Sequence, residues 1–244
     1  KASPFITEEM VVVNTSKGLE NGTHKLISDV IREEVKESPI VILSGPSHAE
    51  EVALGIPTTV VAASEDLEAA AYIQDTMSSN VFRIYINSDV VGCEIGGALK
   101  NIIAVCAGIC DGLNYGDNTK AALMTRGITE IGRLGVALGA SASTFAGLTG
   151  IGDLIVTCTS MHSRNRRAGI LIGQGVSPEE AVKLVGTVEG YNCCKVALEL
   201  ANKVGVSMPI TEQLNNVLFN KGNVKEALGK LMSRPKKCET EEII

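Results

Sequence analysis

The stretch IVILSGPSHAEEVALGIPTTVVAA, residues 40–63, decides how the first part of the chain folds. Its two ends, residues 40–44 and 58–63, are apolar, β-branched runs with the length and composition of buried strands. Between them, a Gly-Pro-Ser turn and a short apolar and acidic run predict a loop and a short helix. Similar strand-like runs stand at residues 10–14 and 81–86, and helix-like segments alternate with them. This alternation predicts a doubly wound α/β sheet.

After about residue 88 the pattern changes to helices. Turns rich in Gly, Pro and Ser separate the helix-like segments, and few β-branched runs occur among them. The predicted helices cover residues 94–113, 120–139, 163–175, 177–185, 191–205 and 210–219. The sequence therefore predicts two domains, an α/β domain over 1–88 and an all-helical domain over 89–244.

Composition limits the class of protein. The chain has 244 residues, of which 45% are apolar and 20% charged, and its net charge is −6. These values are typical of a soluble globular protein, and the acidic balance argues against nucleic acid as a partner. The seven cysteines are odd in number and lack zinc-site spacing, which favours a reducing cytoplasm and no metal. No signal-peptide pattern or run of about 20 apolar residues stands out, so we expect no membrane segment.

Two loops at predicted strand ends carry polar groups. Lys17 follows the first strand, and the carboxyl ends of parallel strands are where open α/β sheets bind ligands. In the second loop, Gly45 permits an unusual backbone angle, and Ser47 can cap the next helix, whose free amides would favour an anion. A solvated lysine and an ordinary capped turn remain the alternatives.

The segment EIGGALKNIIAVCAGI, residues 94–109, places Lys100 and Asn101 in an otherwise apolar helix. A desolvated lysine can have a pKa below its ordinary value and accept a proton near neutrality. The alternative is a structural lysine whose ammonium group reaches solvent. We expect a ligand to approach closely over three small residues on the same side of the helix: Gly96, Gly97 and Ala104.

The segment GLTGIGDLIVTCTSMHSRNRRAG, residues 147–169, is the richest in polar groups. Ser163 as a helix cap, the amides behind it and the Arg164 guanidinium predict a phosphate clamp. Asp153 could hold a hydroxyl group or accept a hydrogen bond from a catalytic lysine. One basic cluster in an acidic chain with 3% aromatic residues is thin support for nucleic-acid binding. Three further side chains have no predicted role and are expected at the surface: His162, Arg166 and Arg167.

Five motifs in this order carry a resemblance to a known family: SKGLE, GPSHAEE, EIGGALKNIIA, GLTGIGDLIVTCTS with SRNR, and VEGY. Along essentially the whole chain they resemble the NAD(P)-dependent sn-glycerol-3-phosphate dehydrogenases of the bacterial type. The resemblance implies the C-terminal part of a Rossmann-like domain, followed by an all-helical substrate domain like the C-terminal domain of 6-phosphogluconate dehydrogenases. It also implies an oxidoreductase that interconverts sn-glycerol 3-phosphate and dihydroxyacetone phosphate with NAD or NADP, a step feeding glycerophospholipid synthesis.

The resemblance also implies roles for individual residues. Lys100 matches the catalytic proton donor and acceptor. The positions matching substrate contacts are Lys17, Gly45, Ser47, Lys100, Asn101, Asp153, Thr157, Ser163, Arg164 and Asn165. The positions matching cofactor contacts are Lys17, Ala49, Arg164 and Glu189.

One feature departs from the family pattern. The family has a G-x-G-x-x-G turn after its first strand, and no such motif precedes Lys17. We therefore expect that the first βαβ units are missing, and that this chain alone binds NAD(P)H poorly and turns over slowly. A sheet without its leading strands would expose an apolar edge, so a homodimer is one expected assembly.

Two other functions remain open on the sequence. A related hydroxyacid or 6-phosphogluconate-type dehydrogenase would share the two-domain plan. The adjacent Lys100 and Asn101 of ALKN and the GDLIVTC and SRNR motifs argue against it. A non-catalytic module from a naturally short gene, binding a phosphate ligand or a protein, would keep the pocket without the reaction.

Overall fold

The first part of the chain forms a small α/β unit. The computed structural model describes residues 2–35 and 37–239, so the predicted outer bounds 1 and 244 lie outside the described residues. The strands are β1 (Val12–Asn14), β2 (Ile40–Ser44), β3 (Thr58–Ala63) and β4 (Phe82–Asn87). The helices among them are α1 (Ile27–Glu34), α2 (Ala49–Ala53) and α3 (Leu67–Met77). All four predicted strands, and the alternation of helix-like segments with them, are confirmed.

The sheet has the order β1-β2-β3-β4 but is not parallel throughout. β1 pairs with β2 and β3 pairs with β4 in parallel, whereas β2 and β3 are antiparallel, with Leu43 opposite Ala62. The Rossmann-like unit is confirmed, but the doubly wound pattern is wrong for this central pair. A parallel pair needs a crossover, usually a full helix. The five-residue α2 turns the chain back at the same end of the sheet, while the longer α3 supplies the crossover from β3 to β4.

The second part of the chain is helical, as predicted. Its helices are α4 (Val90–Gly112), α5 (Asp117–Ala137), α6 (Asp153–Thr159), α7 (Arg164–Gly173), α8 (Pro178–Val185), α9 (Glu189–Lys203), α10 (Pro209–Phe219) and α11 (Val224–Met232). The sequence reading missed α11, although Asn223 is a recognisable cap that accepts hydrogen bonds from the amides of Lys225 and Glu226. β4 ends at Asn87 and α4 begins at Val90. The division at residue 88 stays a prediction.

Helix α4 is the core of the helical unit. Among the described helices it is the one with the length and apolarity of a membrane span, but 89% of its most apolar window is buried inside the protein. Its side chains pack against α5, α7 and α9, and Leu99, Ile102 and Ile103 are almost completely inaccessible. The helix is therefore apolar on all sides because other helices surround it.

Glycines allow α4 and α7 to touch through their backbones. A Cβ atom added at Gly108 would lie 2.0 Å from the carbonyl oxygen of Arg166, and one added at Gly169 would lie 2.1 Å from that of Val105. Only residues without a side chain permit this approach. The contact brings the start of α7 close to the turn of α4 that carries Lys100.

We expect Gly108→Ala to lower the free energy of unfolding by about 3 kcal/mol or more, because the helix backbones must separate to admit the methyl group. Gly229→Ala in α11 is the matched control, since nothing lies within 4 Å of its added Cβ. That change should stabilise the protein by about 0.5–1 kcal/mol through helix propensity. Chemical denaturation measures both, and equal effects of the two changes would contradict the tight crossing.

Candidate active site

A cavity of about 640 Å³ lies between the α/β unit and the helical unit. Ten of the twelve predicted site residues line it: Lys17, Ser47, Ala49, Lys100, Asn101, Thr157, Ser163, Arg164, Asn165 and Glu189. The other two, Gly45 and Asp153, contact the side chain of Lys17 behind the cavity wall. The fold thus gathers residues from two strand-end loops and five helices at one opening.

Two lysines share one buried carboxylate. Lys17 Nζ donates hydrogen bonds to Asp153 Oδ2 at 2.7 Å and to the carbonyl oxygen of Gly45 at 2.8 Å. Lys100 Nζ contacts Asp153 Oδ1 and also donates to Thr157 Oγ1 at 2.8 Å. Lys100 is 5% exposed and Asp153 is 1% exposed. Asp153 therefore fixes both ammonium groups against the cavity.

The pKa of Lys100 is lowered from 10.5 to about 8, as burial of a lysine predicts. Burial is the main cause, and the charge of Lys17 lowers it further, whereas Asp153 raises it. Lys100 can thus release or take up a proton close to neutral pH. The ring of His48, which also lines the cavity, has a lowered pKa because of burial and, after that, the charge of Lys100.

The position of Asp153 depends on the turn before it. Residues Leu148–Gly152 form a π-helical turn that leads directly into α6. A Cβ atom at Gly150 would lie 2.1 Å from the carbonyl oxygen of Phe145, so this turn requires glycine there. Thr157 stands four residues after Asp153 and so lies on the same face of α6, where its hydroxyl donates to the Asp153 carbonyl oxygen at 2.6 Å.

A second polar cluster joins α4, α7 and α9. Asn165 Nδ2 donates to Asn101 Oδ1 at 2.9 Å, and Asn165 Oδ1 accepts from the amide of Gly190 at 2.8 Å. Asn101 and Asn165 are both about 95% buried, with 5% and 4% exposed. These bonds hold the start of α7 against the Lys100 turn of α4.

Ser163 caps α7, as predicted, because its Oγ accepts a hydrogen bond from the amide of Arg166 at 3.2 Å. Next to it, Arg164 donates to Glu189 Oε1 at 2.9 Å, and these side chains are 45% and 32% exposed. An ion pair this exposed contributes little stability. Arg164 can therefore turn from Glu189 to an anionic ligand at small cost.

The Gly-Pro-Ser loop differs from the prediction in one respect. Gly45 has a φ of 134°, in agreement with its predicted role. Ser47 does not cap α2: the capping position belongs to His48, which is extended and makes no side-chain cap bond. Ser47 Oγ instead donates to the Gly45 carbonyl oxygen at 3.1 Å. The helix begins one residue later than predicted because His48 keeps the extended backbone of the turn.

The predicted ligand approach over the small residues of α4 is wrong, because protein groups fill that space. A Cβ atom at Gly96 would lie 2.5 Å from the Thr149 carbonyl oxygen. One at Gly97 would lie 3.0 Å from Ser44 Oγ and 3.6 Å from Cγ of Lys17. Ala104 is completely buried. Gly97 thus serves to let the stem of Lys17 pass over α4 to Asp153.

The surface prediction is confirmed for His162 and Arg167, which are exposed, and wrong for Arg166. Arg166 Nε donates to Asp111 Oδ2 at 2.7 Å, and its side chain is only 14% exposed. Asp111 lies at the end of α4, so this pair strengthens the crossing of α4 and α7. His162 nevertheless lines the cavity, and its ring centroid is 5.9 Å from that of His48.

Sequence reasoning missed several residues that line the cavity: Thr15, Ser16, Leu43, His48, Val52, Phe82 and His162. Thr15 and Ser16 could have been found, because they precede Lys17 in the same strand-end loop. Leu43 and Phe82 carry no such signal, since an apolar residue in a strand is normally a core residue. Over residues 2–35 and 37–239, no group of three or more His, Cys, Asp or Glu side chains could hold a metal ion.

Comparison with known proteins identifies the family. The family model for the NAD-dependent glycerol-3-phosphate dehydrogenase N-terminus matches residues 1–70, and the model for the C-terminus of the same enzymes matches residues 89–229. Glycerol-3-phosphate dehydrogenase (NAD(P)+) of Clostridium perfringens strain SM101 is 57% identical over 235 residues, which are 96% of this chain and 71% of the relative. The enzyme of the same name from Desulfitobacterium hafniense strain Y51 is 55% identical over 244 residues, covering 100% of this chain and 69% of the relative.

Solved structures agree with the sequence relatives. The crystal structure of glycerol-3-phosphate dehydrogenase (gpsA) from Coxiella burnetii matches with a TM-score of 0.91 and 38% identity, covering 96% of this chain and 72% of that chain. Yeast glycerol-3-phosphate dehydrogenase GPD1 matches with a TM-score of 0.84 and 26% identity, covering 96% and 70%. The chain therefore belongs to the NAD-dependent glycerol-3-phosphate dehydrogenase family.

Proposed function

We propose that this chain interconverts sn-glycerol 3-phosphate and dihydroxyacetone phosphate with NAD or NADP, and that Lys100 is its proton donor and acceptor. One observation carries the proposal. A buried lysine with a pKa of about 8 opens onto a cavity that is also lined by the start of α7, including Arg164. A ketose or polyol phosphate needs these two features, a proton carrier at one end and an anion site at the other.

The residues present fit the nicotinamide ring of the cofactor, although the G-x-G-x-x-G turn that would hold its pyrophosphate does not precede Lys17 and we therefore propose weak binding of the whole cofactor. Leu43, Val52 and Phe82 give the cavity an apolar wall against which an uncharged ring can pack, on the side of the α/β unit. When bound, NAD(P)(H) supplies or accepts the hydride at C2 of the substrate. The residues we propose to hold it are Lys17, Ala49, Arg164 and Glu189, all of which line the cavity.

In the reduction, the ammonium group of Lys100 hydrogen-bonds the ketone oxygen and delivers a proton to it. In the oxidation, neutral Lys100 accepts the proton of the C2 hydroxyl. Asp153 and Thr157 keep Lys100 Nζ in position, since both accept hydrogen bonds from it. Lys17 neutralises the other oxygen of Asp153 and keeps the proton of Lys100 easily released, because its charge lowers the pKa of Lys100.

The phosphate is proposed to bind at the start of α7. Ser163 Oγ is engaged as a cap, which leaves the first amides of α7 and the side chain of Arg164 for the anion. Asn165 can add the Nδ2 hydrogen that now points to Glu189 Oε2 at 3.4 Å, because its other groups bind Asn101 and Gly190. The Arg164 guanidinium can bind two phosphate oxygens. Asn101 holds Asn165 through its amide oxygen. Binding the phosphate at a distance from C2 positions the reacting carbon against Lys100. The remaining proposed substrate contacts are Lys17, Ser47 and the Gly45 loop.

The proposal predicts opposite pH dependences of kcat/KM for the oxidation and the reduction. Because Lys100 must be neutral to accept a proton, kcat/KM for oxidation should rise with pH up to about 8 and then level. Because it must be charged to donate, kcat/KM for reduction should be level below that pH and fall above it. NMR titration of the Lys100 side chain should give the same midpoint without turnover. A midpoint near 10.5, the ordinary lysine value, would refute the proposed role.

Three broader points are also proposed. We place the enzyme in the cytoplasm, because its described cysteines are all free and, apart from Cys106 and Cys238, buried. We also propose that its product, glycerol 3-phosphate, supplies glycerophospholipid synthesis. A homodimer is supported by apolar side chains exposed on β4, with Tyr85 47% and Ile86 37% exposed. If the full-length protein binds glycerol 3-phosphate but does not turn it over, that result would favour a non-catalytic module instead.

A further inference from the structure

A buried glutamate of α4 lies outside the cavity and has no part in the proposed chemistry. Glu94 is 5% exposed and comes six residues before Lys100 on the same helix. Its Oε1 accepts a hydrogen bond from the amide of Ser28 at 3.0 Å, and its Oε2 contacts the Ser28 hydroxyl group, which is also buried. Burial raises the pKa of Glu94, while its bonds with Ser28 and the Ile27 amide oppose that rise.

The partner of Glu94 is the start of helix α1. Leu26 is the capping residue of α1 and makes no side-chain cap bond, so the first amides of the helix have no partner from their own segment. Glu94 supplies that partner from another element. A carboxylate at this place also suits the helix dipole. The pair therefore fastens the α/β unit to α4.

The segment fastened in this way carries Lys17. Residues 15–26 connect β1 to α1, and a bridge between Leu19 and Leu26 folds the segment back on itself. The amide of Glu20 donates to the carbonyl oxygen of Lys25 at 2.9 Å, which closes the same hairpin. The hairpin brings the residues after Lys17 next to the residues before Ser28. A displacement of the start of α1 is thus passed to Lys17 over a few residues.

The start of the segment, where it leaves β1, is held by a separate hydrogen bond. Asn14 Oδ1 accepts the amide of Ser16 at 3.0 Å, and Asn14 itself is buried. The tip is held by His24, whose Nε2 lies 2.8 Å from Glu199 Oε2 on α9, and these side chains are 22% and 46% exposed. Among these contacts, the one with Glu94 joins the segment to the helix that carries Lys100.

We propose that Glu94 is a positioning residue for Lys17: by binding the start of α1 it fixes the hairpin that presents Lys17 to Asp153. The inference rests on the proposed role of Lys17. Helix α4 then sets the distance between the two lysines by two routes, one through Lys100 and Asp153 and the other through Glu94. A purely structural glutamate would stabilise the fold without affecting either lysine.

A second glutamate provides a matched control. Glu130 of α5 is 1% exposed and caps another helix in the same way, accepting from the amides of Ile210 and Thr211 at 2.8 Å each. Its contacts lie at the start of α10, which contributes no residue to the cavity. Glu94→Ala and Glu130→Ala therefore remove the same kind of interaction, one beside the site and one away from it. Glu94→Gln and Ser28→Ala are milder variants that keep most of the packing.

The test uses the full chain and two readouts that do not need turnover. Glu94→Ala, or Glu94→Gln if the alanine variant does not fold, should weaken binding of glycerol 3-phosphate about tenfold by calorimetry, the loss expected for one charge-assisted contact. It should also move the NMR titration midpoint of Lys100 upward, because Lys17 no longer lowers the pKa of Lys100 as strongly. Glu130→Ala should lower the melting temperature and leave both readouts unchanged.

The outcomes separate this inference from the proposed function. If Glu94→Ala lowers only the melting temperature, as Glu130→Ala does, Glu94 is structural and the inference is wrong. Lys17→Met tests the premise directly, since it should weaken binding and raise the Lys100 midpoint more than any Glu94 variant. If Lys17→Met changes both readouts and Glu94→Ala changes neither, the role of Lys17 stands and the inference alone falls. If Lys17→Met changes neither, the role of Lys17 falls and the inference falls with it.

Discussion

Replacing Lys100 by Met is expected to lower kcat in both directions by about a thousandfold, within the range that positioned acids and bases contribute. Methionine fills a similar volume in the buried site but cannot carry a proton. Asp153 keeps Lys17 as a partner, so the carboxylate is not left unpaired and the fold should remain. The rate of reduced nicotinamide consumption with dihydroxyacetone phosphate measures kcat, and calorimetry measures glycerol 3-phosphate binding.

The pattern of the Lys100→Met effect matters as much as its size. Because the phosphate is proposed to bind at α7, the dissociation constant for glycerol 3-phosphate should stay within an order of magnitude of the wild-type value. A loss in kcat with intact binding indicates a group that acts in the transition state. Lys183→Met, on helix α8, controls for general loss of a lysine. A variant that keeps more than a tenth of the activity would exclude Lys100 as the proton carrier.

Much of this site follows from spacing within single helices. Asp153 and Thr157 are four residues apart, Lys100 and Asn101 are adjacent, and Ser163 has the sequence of a helix cap. Each of these relations is local, so helix periodicity and capping rules predict it directly. The order of strands and helices is likewise predictable, because buried strands are marked in the sequence by short apolar, β-branched runs.

Relations between distant segments could not be predicted in this way. Lys17 and Asp153 are 136 residues apart, and nothing in either motif indicates that they share a hydrogen bond. The antiparallel pairing of β2 with β3 depends on the length of α2, and element ends are poorly defined by sequence. The SRNR motif gives no sign that Arg166 is buried, because its partner, Asp111, belongs to a helix that reaches it only through the glycine crossing.

Replacing Asp153 by Asn is expected to damage both the fold and the reaction, because Asp153 is the shared partner of two cations. The amide oxygen can accept from one lysine, but the amide nitrogen then faces the other ammonium group. Removing one partner of a buried ion pair costs about 3–5 kcal/mol, and we expect the lower end because Lys100 can release its proton. Thermal or chemical denaturation measures this loss of stability.

The pH behaviour of Asp153→Asn separates an electrostatic role from simple loss of structure. Asp153 raises the pKa of Lys100, so without its charge the Lys100 titration midpoint should fall below about 8. At pH 7 a larger fraction of Lys100 is then neutral, and the reduction should suffer more than the oxidation. Misplacement of Lys100 adds a loss of about a hundredfold in kcat in both directions. A Lys100 midpoint that stays at the wild-type value in Asp153→Asn would mean that the carboxylate does not control the charge of the catalytic lysine.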